Sequence, residues 1–216
     1  MTDKNDSKQV RLYGAGGHSQ VIQSVLKQNG VEICEVFDDN PCLSHPLSKN
    51  ITVTNRKNSL DFPHEGAPFI IAIGDNKQRN NIAEFLKTKF TKAIHRTAIM
   101  DPNSRIGDGT VIYAGAVIQA NTIVGKHVII NTLASVDHDN IIHDFVHISP
   151  NAALCGLVEV GEGTHIGAGA VIIPKVKIGK WCTIGAGSVI LKDVPDYAVV
   201  VGNPGRVIKM NRQLIV

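Results

Sequence analysis

Aliphatic side chains recur at every sixth position from Ile94 to Ile190, through Met100, Ile106, Ile112, Ile118, Val124, Ile130, Val136, Ile142, Ile148, Leu154, Val160, Ile166, Ile172, Ile178 and Ile184, without a miss. Two positions earlier most repeats carry a small or branched residue, among them Ala98, Thr110, Ala116, Thr122, Ala134, Ala152, Thr164, Ala170, Cys182 and Ser188. Glycine often follows the aliphatic, as in Ile106-Gly107, Val124-Gly125 and Ile166-Gly167, where a permissive backbone suits a corner. A helix repeats near 3.6 residues and a plain strand at 2, so neither explains a strict six. The period describes a short strand, a corner and another strand. Three sides then close a coil of roughly eighteen residues, and stacked coils pair their strands about 4.8 Å apart with the aliphatics filling the axis. The pattern predicts a parallel β-helix over residues 93–216. A β-sandwich does not keep register through every turn.

Residues 1–92 follow a different rhythm. Val10 to Tyr13 reads as a strand, Gly14-Ala15-Gly16-Gly17-His18 as a glycine loop, and Ser19 to Gln28 as a helix with Val21, Ile22, Val25 and Leu26 on one face. Asn29-Gly30 stops it. A second strand, Glu32 to Phe37, ends in Asp38-Asp39. A third, Phe69 to Ile73, ends in Gly74-Asp75-Asn76 before a helix containing Arg79, Ile82, Phe85 and Leu86. This is a parallel α/β layout of Rossmann-like type, and ligands of such sheets lie beyond the carboxyl ends of the strands. Gly16, Gly17, His18, Asp38, Asp39 and Gly74 would converge there. Backbone N–H groups at a helix start favour phosphate, and an aspartate at a strand end can hold ribose hydroxyls or a base edge. The competing reading of the loop is a tight strand-to-helix turn. It runs G-x-G-G with Ser19 in the third glycine's place, and the module is too short for two mononucleotide halves, so a single nucleotide such as the carrier of a nucleotide-sugar fits better than NAD.

Composition narrows the partners. A net charge of +3 without a basic run does not suggest a nucleic-acid surface, and no apolar stretch approaches the ~20 residues of a spanning helix. Met1 to Gln9 is polar and mixed in charge, unlike a secretory signal, which points to the cytoplasm. Cys34, Cys42, Cys155 and Cys182 show no C-x-x-C spacing, so buried, reduced thiols are expected and no thiolate metal site.

The aliphatic-Gly-x-x-x-x hexapeptide resembles that of the left-handed β-helix acyltransferases, and Val194-Pro195-Asp196-Tyr197 with Gly202-Asn203-Pro204-Gly205-Arg206 is similar to the family's closing segment. The glycine loop, Asp38-Asp39 and Ile73-Gly74-Asp75-Asn76, joined to such a domain, resemble the bacterial sugar N-acetyltransferases of glycan biosynthesis. The resemblance implies left-handed coils, a homotrimer with sites between subunits, acetyl-CoA as co-substrate, no metal, and a UDP- or dTDP-linked 4-amino sugar as acceptor. Relatives in sialic acid gene clusters are O-acetyltransferases, so the acceptor atom stays open.

Acetyl transfer from a thioester needs a base near the acceptor and donors for the oxyanion. Register sorts the histidines. His138 falls on a corner two residues past inward Val136; His147 lies between Val146 and Ile148 and faces out from the middle of a side; His165 is one coil later in the same column. Gly156, eighteen residues after His138, lies directly above it, leaving room for a ligand and a backbone N–H for an oxyanion. Asp139 could orient the imidazole. The resemblance implies the same roles: a His-acid base at His138-Asp139, His147 touching acetyl-CoA, Asn131 near the acceptor, and Ala168 and Ala186 along the pantetheine arm. By register His138 and His147 stand on opposite parts of one prism, roughly 15 Å apart from strand rise. His127, His143 and His45 are expected on the surface.

Two readings compete. The γ-class carbonic anhydrases share the trimeric β-helix and hold zinc through histidines, two of them spaced like His138 and His143, but the third position two coils earlier is Pro102. A nucleotide-sugar-sensing scaffold without chemistry is the other.

Overall fold

The computed structural model describes residues 9–40, the backbone of 53–55, and residues 66–211. Four parallel strands, β1 (Gln9–Tyr13), β2 (Glu32–Asp38), β3 (Val53–Asn55) and β4 (Phe69–Ile71), form a sheet in the order β3-β2-β1-β4. Alternation along β1 splits its side chains between two cores. Tyr13 packs with Phe37, Phe69, Ile71 and the inner face of α2 (Asn76–Leu86). Val10 and Leu12 pack with Ile22, Val25 and Leu26 of α1 (Gly17–Gln28).

The elements follow the sequence reading with three differences. Strand β3 was not expected. The third predicted strand ends at Ile71 rather than Ile73: Ala72 N–H makes the last ladder bond, to Tyr13 O, and the chain then turns to Asp75, whose carboxylate caps α2 through Gln78 N–H at 2.8 Å. The first helix begins at Gly17 rather than Ser19, and Val21 is exposed rather than part of its apolar face.

Beyond residue 92 the chain is a parallel β-solenoid of about six turns. Seventeen two-residue strands run from β5 (Ala93–Ile94) to β21 (Val189–Ile190). They form three sides. Ala93, Val111, Ile129, His147, His165 and Thr183 lie in one column on the first; Ile99, Val117, Ser135, Ala153, Val171 and Val189 on the second; Arg105, Ile123, Ile141, Glu159 and Lys177 on the third. Each pairing joins residues eighteen apart. The repeated aliphatics fill the axis as one cluster, except that Met100, on the edge strand of the second side, is partly exposed. At the other end β22 (Ala198–Val201) continues the first side and β23 (Arg206–Met210) folds back antiparallel upon it. Among the described residues no helix is long and apolar enough to cross a membrane.

The α/β module sits on the first side. Ala93, Val111, Tyr113 and Ile129 join the α1 core, so module and solenoid share one apolar cluster. Cys182 is buried as expected, but Cys34 is exposed, because β2 turns that residue away from the core; Cys42 and His45 lie outside the described residues.

Buried polar side chains stitch successive coils. Thr110 Oγ1 donates to Gly125 O (2.8 Å) and accepts from Val128 N–H (3.0 Å), and Thr164, in the same column higher in the stack, does the same with Gly179 O and Cys182 N–H. Asn140, fully buried, accepts from Val158 N–H (3.0 Å) and donates to Asp137 O (2.7 Å) and Cys155 O (3.0 Å). Asn140→Ala strands those groups without partners, so the unfolding free energy should fall by about 1–3 kcal/mol. Urea unfolding checks this as a lowered midpoint at constant m; an unchanged midpoint contradicts it.

Candidate functional site

The strand ends of the α/β module open onto a cleft. Gly14, at φ +115°, is a position only glycine fills, since a Cβ there would stand 2.7 Å from Ala72 O. At Gly16, Gly17 and Gly74, by contrast, a Cβ would meet nothing within 4 Å, so these three present bare backbone to open space. Helix α1 starts at Gly17, inside the glycine loop, and no side chain caps its first N–H groups. Asp38 shapes the loop: its Oδ2 accepts from Ala15 N–H and its Oδ1 from Asn40 N–H, both at 2.7 Å. Asp39 accepts from the Tyr13 hydroxyl at 2.6 Å. Both carboxylates thus accept from the chain's own donors, and Asp38 is buried.

The same cleft reaches the solenoid's first side. His18, in the first turn of α1, lies 3.1 Å from the Tyr113 hydroxyl, and its ring centre is 6.3 Å from that of His147. His147 stacks on His165 (4.8 Å, 9°) as the eighteen-residue register requires, and the Asn131 amide donates to His147 Nε2 at 3.2 Å. His165 in turn is hydrogen-bonded to Ser149 Oγ at 2.7 Å. Burial, then the nearby His165 and the Arg79 guanidinium, push the His147 pKa down to about 3; burial and Arg79 bring His18 to about 4. Both imidazoles are therefore neutral at physiological pH. A cavity of about 390 Å³ beside them is lined by Gly74, Asn76, Lys77, His147, His165 and Trp181.

His127 departs from expectation. It is buried rather than on the surface, stacked on Phe145 (5.1 Å, 2°) with the edge of Phe90 at 4.4 Å. Nothing in its own repeat reports the α/β module, which covers it. His143 is exposed, as expected, and pairs with Glu159 at 3.2 Å.

A second group occupies the corner between the second and third sides. His138 Nδ1 bonds Asp139 Oδ2 at 2.8 Å, and Asp139 also accepts from Asn121 Nδ2 at 3.0 Å, one coil below. The hydrogen bond to Asp139 raises the His138 pKa above its ordinary value, and the same bond, followed by Asn121, lowers that of Asp139. The His138 ring lies over Gly156, where a Cβ would stand 2.5 Å from Nε2. The space above Gly156 is thus taken by the imidazole itself, and glycine lets the ring lie flat on the coil. Among the described residues the Gly156 N–H donates to no protein acceptor. The column beneath His138 carries Ala120 and Pro102, neither a metal ligand.

The structure thus brings together Gly16, Gly17, His18, Gly74, Asn131 and His147 around the first side, with Asp38 and Asp39 at the cleft rim. Ala168 and Ala186 are exposed on the adjoining first-to-second corner. It sets His138, Asp139 and Gly156 on the corner opposite that side. Tyr113 and Arg79 were missed as site residues. Their positions in the chain, a tyrosine after a repeat aliphatic and an arginine in a helix, carry no local sign that two domains close over them.

Residues 9–86 match the PglD N-terminal domain family, and residues 157–192 the bacterial transferase hexapeptide family of six repeats. UDP-N-acetylbacillosamine N-acetyltransferase of Bacillus subtilis is 39% identical over 121 residues, which cover 50% of this chain and 52% of that protein; the match spans about half of the relative's length. A mutant of perosamine N-acetyltransferase from Caulobacter crescentus with a histidine replaced, solved in complex with CoA and GDP-perosamine, aligns with a TM-score of 0.87 at 32% identity over 93% of this chain and 97% of that one. The acetyltransferase domain of PglB from Neisseria gonorrhoeae, in complex with acetyl coenzyme A, gives 0.84 at 35% identity over 93% and 99%.

The His138–Asp139 bond has a direct spectroscopic consequence. In Asp139→Asn the imidazolium loses its carboxylate, so the His138 pKa should fall toward the ordinary histidine value of about 6.5. Titration of the His138 Cε1–H resonance reads this; a pKa unmoved by the substitution contradicts the assigned geometry.

Proposed function

Because the chain belongs to the PglD-like hexapeptide-repeat β-helix acetyltransferases of nucleotide sugars, we propose that it moves the acetyl group of acetyl-CoA to the amino group of a nucleotide-linked amino sugar, with His138 as general base. The observation that carries the reading is the His138–Asp139 pair on a solvent-exposed corner beside Gly156. Asp139 holds Nδ1, which leaves Nε2 to take the proton of the attacking amine, and the carboxylate then faces the imidazolium that forms. The Gly156 N–H is the candidate donor to the oxyanion of the tetrahedral intermediate. Neutral His147, fixed by Asn131, serves as a hydrogen-bonding group toward the thioester rather than as a cation. Ala168 and Ala186 leave a smooth exposed corner for the pantetheine arm. The uncapped start of α1 with Gly16 and Gly17 suits the acceptor's phosphates, and Asp38 and Asp39 its nucleoside. A relative with a substituted histidine that binds CoA and GDP-perosamine supports a histidine base and a nucleotide-sugar acceptor.

In one chain the nucleotide cleft and His147 lie on the first side, while His138 lies on the opposite corner. The two halves must therefore come from neighbouring subunits. Exposed apolar side chains flank the His138 corner, with Ile123 and Ile141 on one adjoining side, Ile99 and Val171 on the other, and Leu157 on the corner itself. Such a patch marks a protein contact, and a closed threefold ring of identical contacts supplies three sites per homotrimer.

The test offers 4-amino nucleotide-sugars with UDP, dTDP and GDP carriers, and hydroxyl acceptors, together with acetyl-CoA, and reads thiol release and product mass. Transfer to an amine is expected. His138→Ala should lower kcat by roughly 10²–10⁴-fold with acetyl-CoA binding intact. Wild-type kcat should rise with pH through the elevated His138 pKa, because only the neutral imidazole accepts a proton. A near-normal kcat for His138→Ala across the pH range rejects the base assignment, and transfer to hydroxyl acceptors alone rejects the amine.

A further inference from the structure

Helix α2 meets the solenoid through two polar side chains. Arg79 is 1% exposed, and each of its five N–H donors has an acceptor. Nε donates to His127 O (2.8 Å), Nη2 to Phe145 O and Asn76 Oδ1 (both 2.8 Å), and Nη1 to Ile73 O (3.0 Å) and Gly74 O (3.1 Å). Asn76 Nδ2 donates to Gly163 O at 2.9 Å. His127, Phe145 and Gly163 are eighteen residues apart on one corner column, each in the left-handed region at φ 54°, 60° and 66°. Their carbonyls accept no hydrogen bond from the solenoid's own backbone. Two side chains of one helix turn thus satisfy three successive coils that would otherwise carry orphan acceptors against a covering domain.

The guanidinium has no ion pair among the described residues. The titratable groups facing it are Asp75 at the cap of α2, His18 on α1, and Tyr113, His127, His147 and His165 on the solenoid. A methionine would spare the cost of desolvating a charge but would leave the carbonyls of Ile73, Gly74, His127 and Phe145 without this donor. What the planar fork supplies is geometry. One side chain binds Gly74 O, at the open cleft, and Phe145 O, two residues before His147 on the same coil. A lysine, with three donors on a flexible stem, cannot fix both.

We propose that Arg79, assisted by Asn76, is the positioning residue of this site: it sets the loop after β4 at one height on the corner column and thereby holds Gly74 and the acceptor cleft in register with His147. This rests on the acyl-transfer reading above, in which an acceptor held at the cleft must meet a thioester held near His147.

Arg79→Met, Arg79→Lys and the milder Asn76→Ala test it in the full-length protein. Folded variants should show faster hydrogen exchange over residues 72–80, with the coils around residues 127–163 still protected. Arg79→Met should lower kcat by about 10²-fold, the cost of a misplacement near 1 Å, while KM for each substrate stays within about threefold because cleft and coil are each intact. Arg79→Lys should recover little of that loss, and Asn76→Ala should show a smaller one. Wild-type exchange over 72–80 in a folded variant overturns the clasp. A loosened loop with unchanged kcat overturns the positioning role, as does activity lost only in proportion to unfolded protein. Should Arg79→Met and Arg79→Lys fail to fold, Asn76→Ala decides by the same two readouts. A wild-type protein that transfers acetyl to no amino sugar defeats the functional reading instead, and hydrogen exchange still decides the clasp.

Discussion

Eighteen residues close one coil, and strand pairing between coils fixes every residue directly over the one eighteen before it. The candidate contacts that run from coil to coil follow from that constraint. His147 stacks on His165, Asp139 is held by Asn121, the His138 ring rests on Gly156, and the carbonyls of His127, Phe145 and Gly163 form a ladder for Arg79 and Asn76. One inserted residue would turn every later side chain of its side to the other face, exchanging axis for solvent. The buried Thr110, Thr164 and Asn140 add polar bonds that only the correct register satisfies, so they resist slippage as well as contributing stability.

Because the prism is rigid, its three sides can be given separate tasks. The first side is covered by the α/β module, which shares its apolar core, buries His127 and shields His18 and His147 in part. The corner opposite keeps His138 exposed and basic, with Asp139 at hydrogen-bonding distance. Neutral imidazoles on one side and a raised pKa on the other are one residue type in two environments. The difference lies in burial and the Arg79 charge for one group, and a carboxylate bond for the other.

The solenoid was legible from the sequence because a strict period of six suits a three-sided coil and neither a helix nor a plain strand, and the same period gave the columns: His138 beneath Gly156 and His147 beneath His165 were both read from spacing. The strand ends with Gly16, Gly17, Asp38 and Gly74 were legible through strand-loop-helix rhythm. What could not be read was the contact between the two parts. His127 looked like a surface residue because nothing in its own repeat reports Phe90 or α2, which arrive from residues about forty to fifty positions earlier. Arg79 looked like a helix residue for the same reason. Asp38 and Asp39 were read as ligand groups, and their internal bonds to Ala15, Asn40 and Tyr13 emerge only once the loop is folded.

In the proposed acyl transfer no single chain holds a complete site, since the glycine loop and His147 lie on the first side and His138 on the opposite corner. Mixing resolves this directly. His138→Ala and His147→Ala proteins, each impaired alone, are unfolded together in equal amounts and reassembled, with mixed oligomers verified by native mass spectrometry. An intact His138 meets an intact His147 at about a quarter of the interfaces if each neighbour is independently the right variant half the time. Activity recovered to about that fraction of wild type is the predicted result; mixed oligomers no more active than their parents would contradict a site shared between subunits.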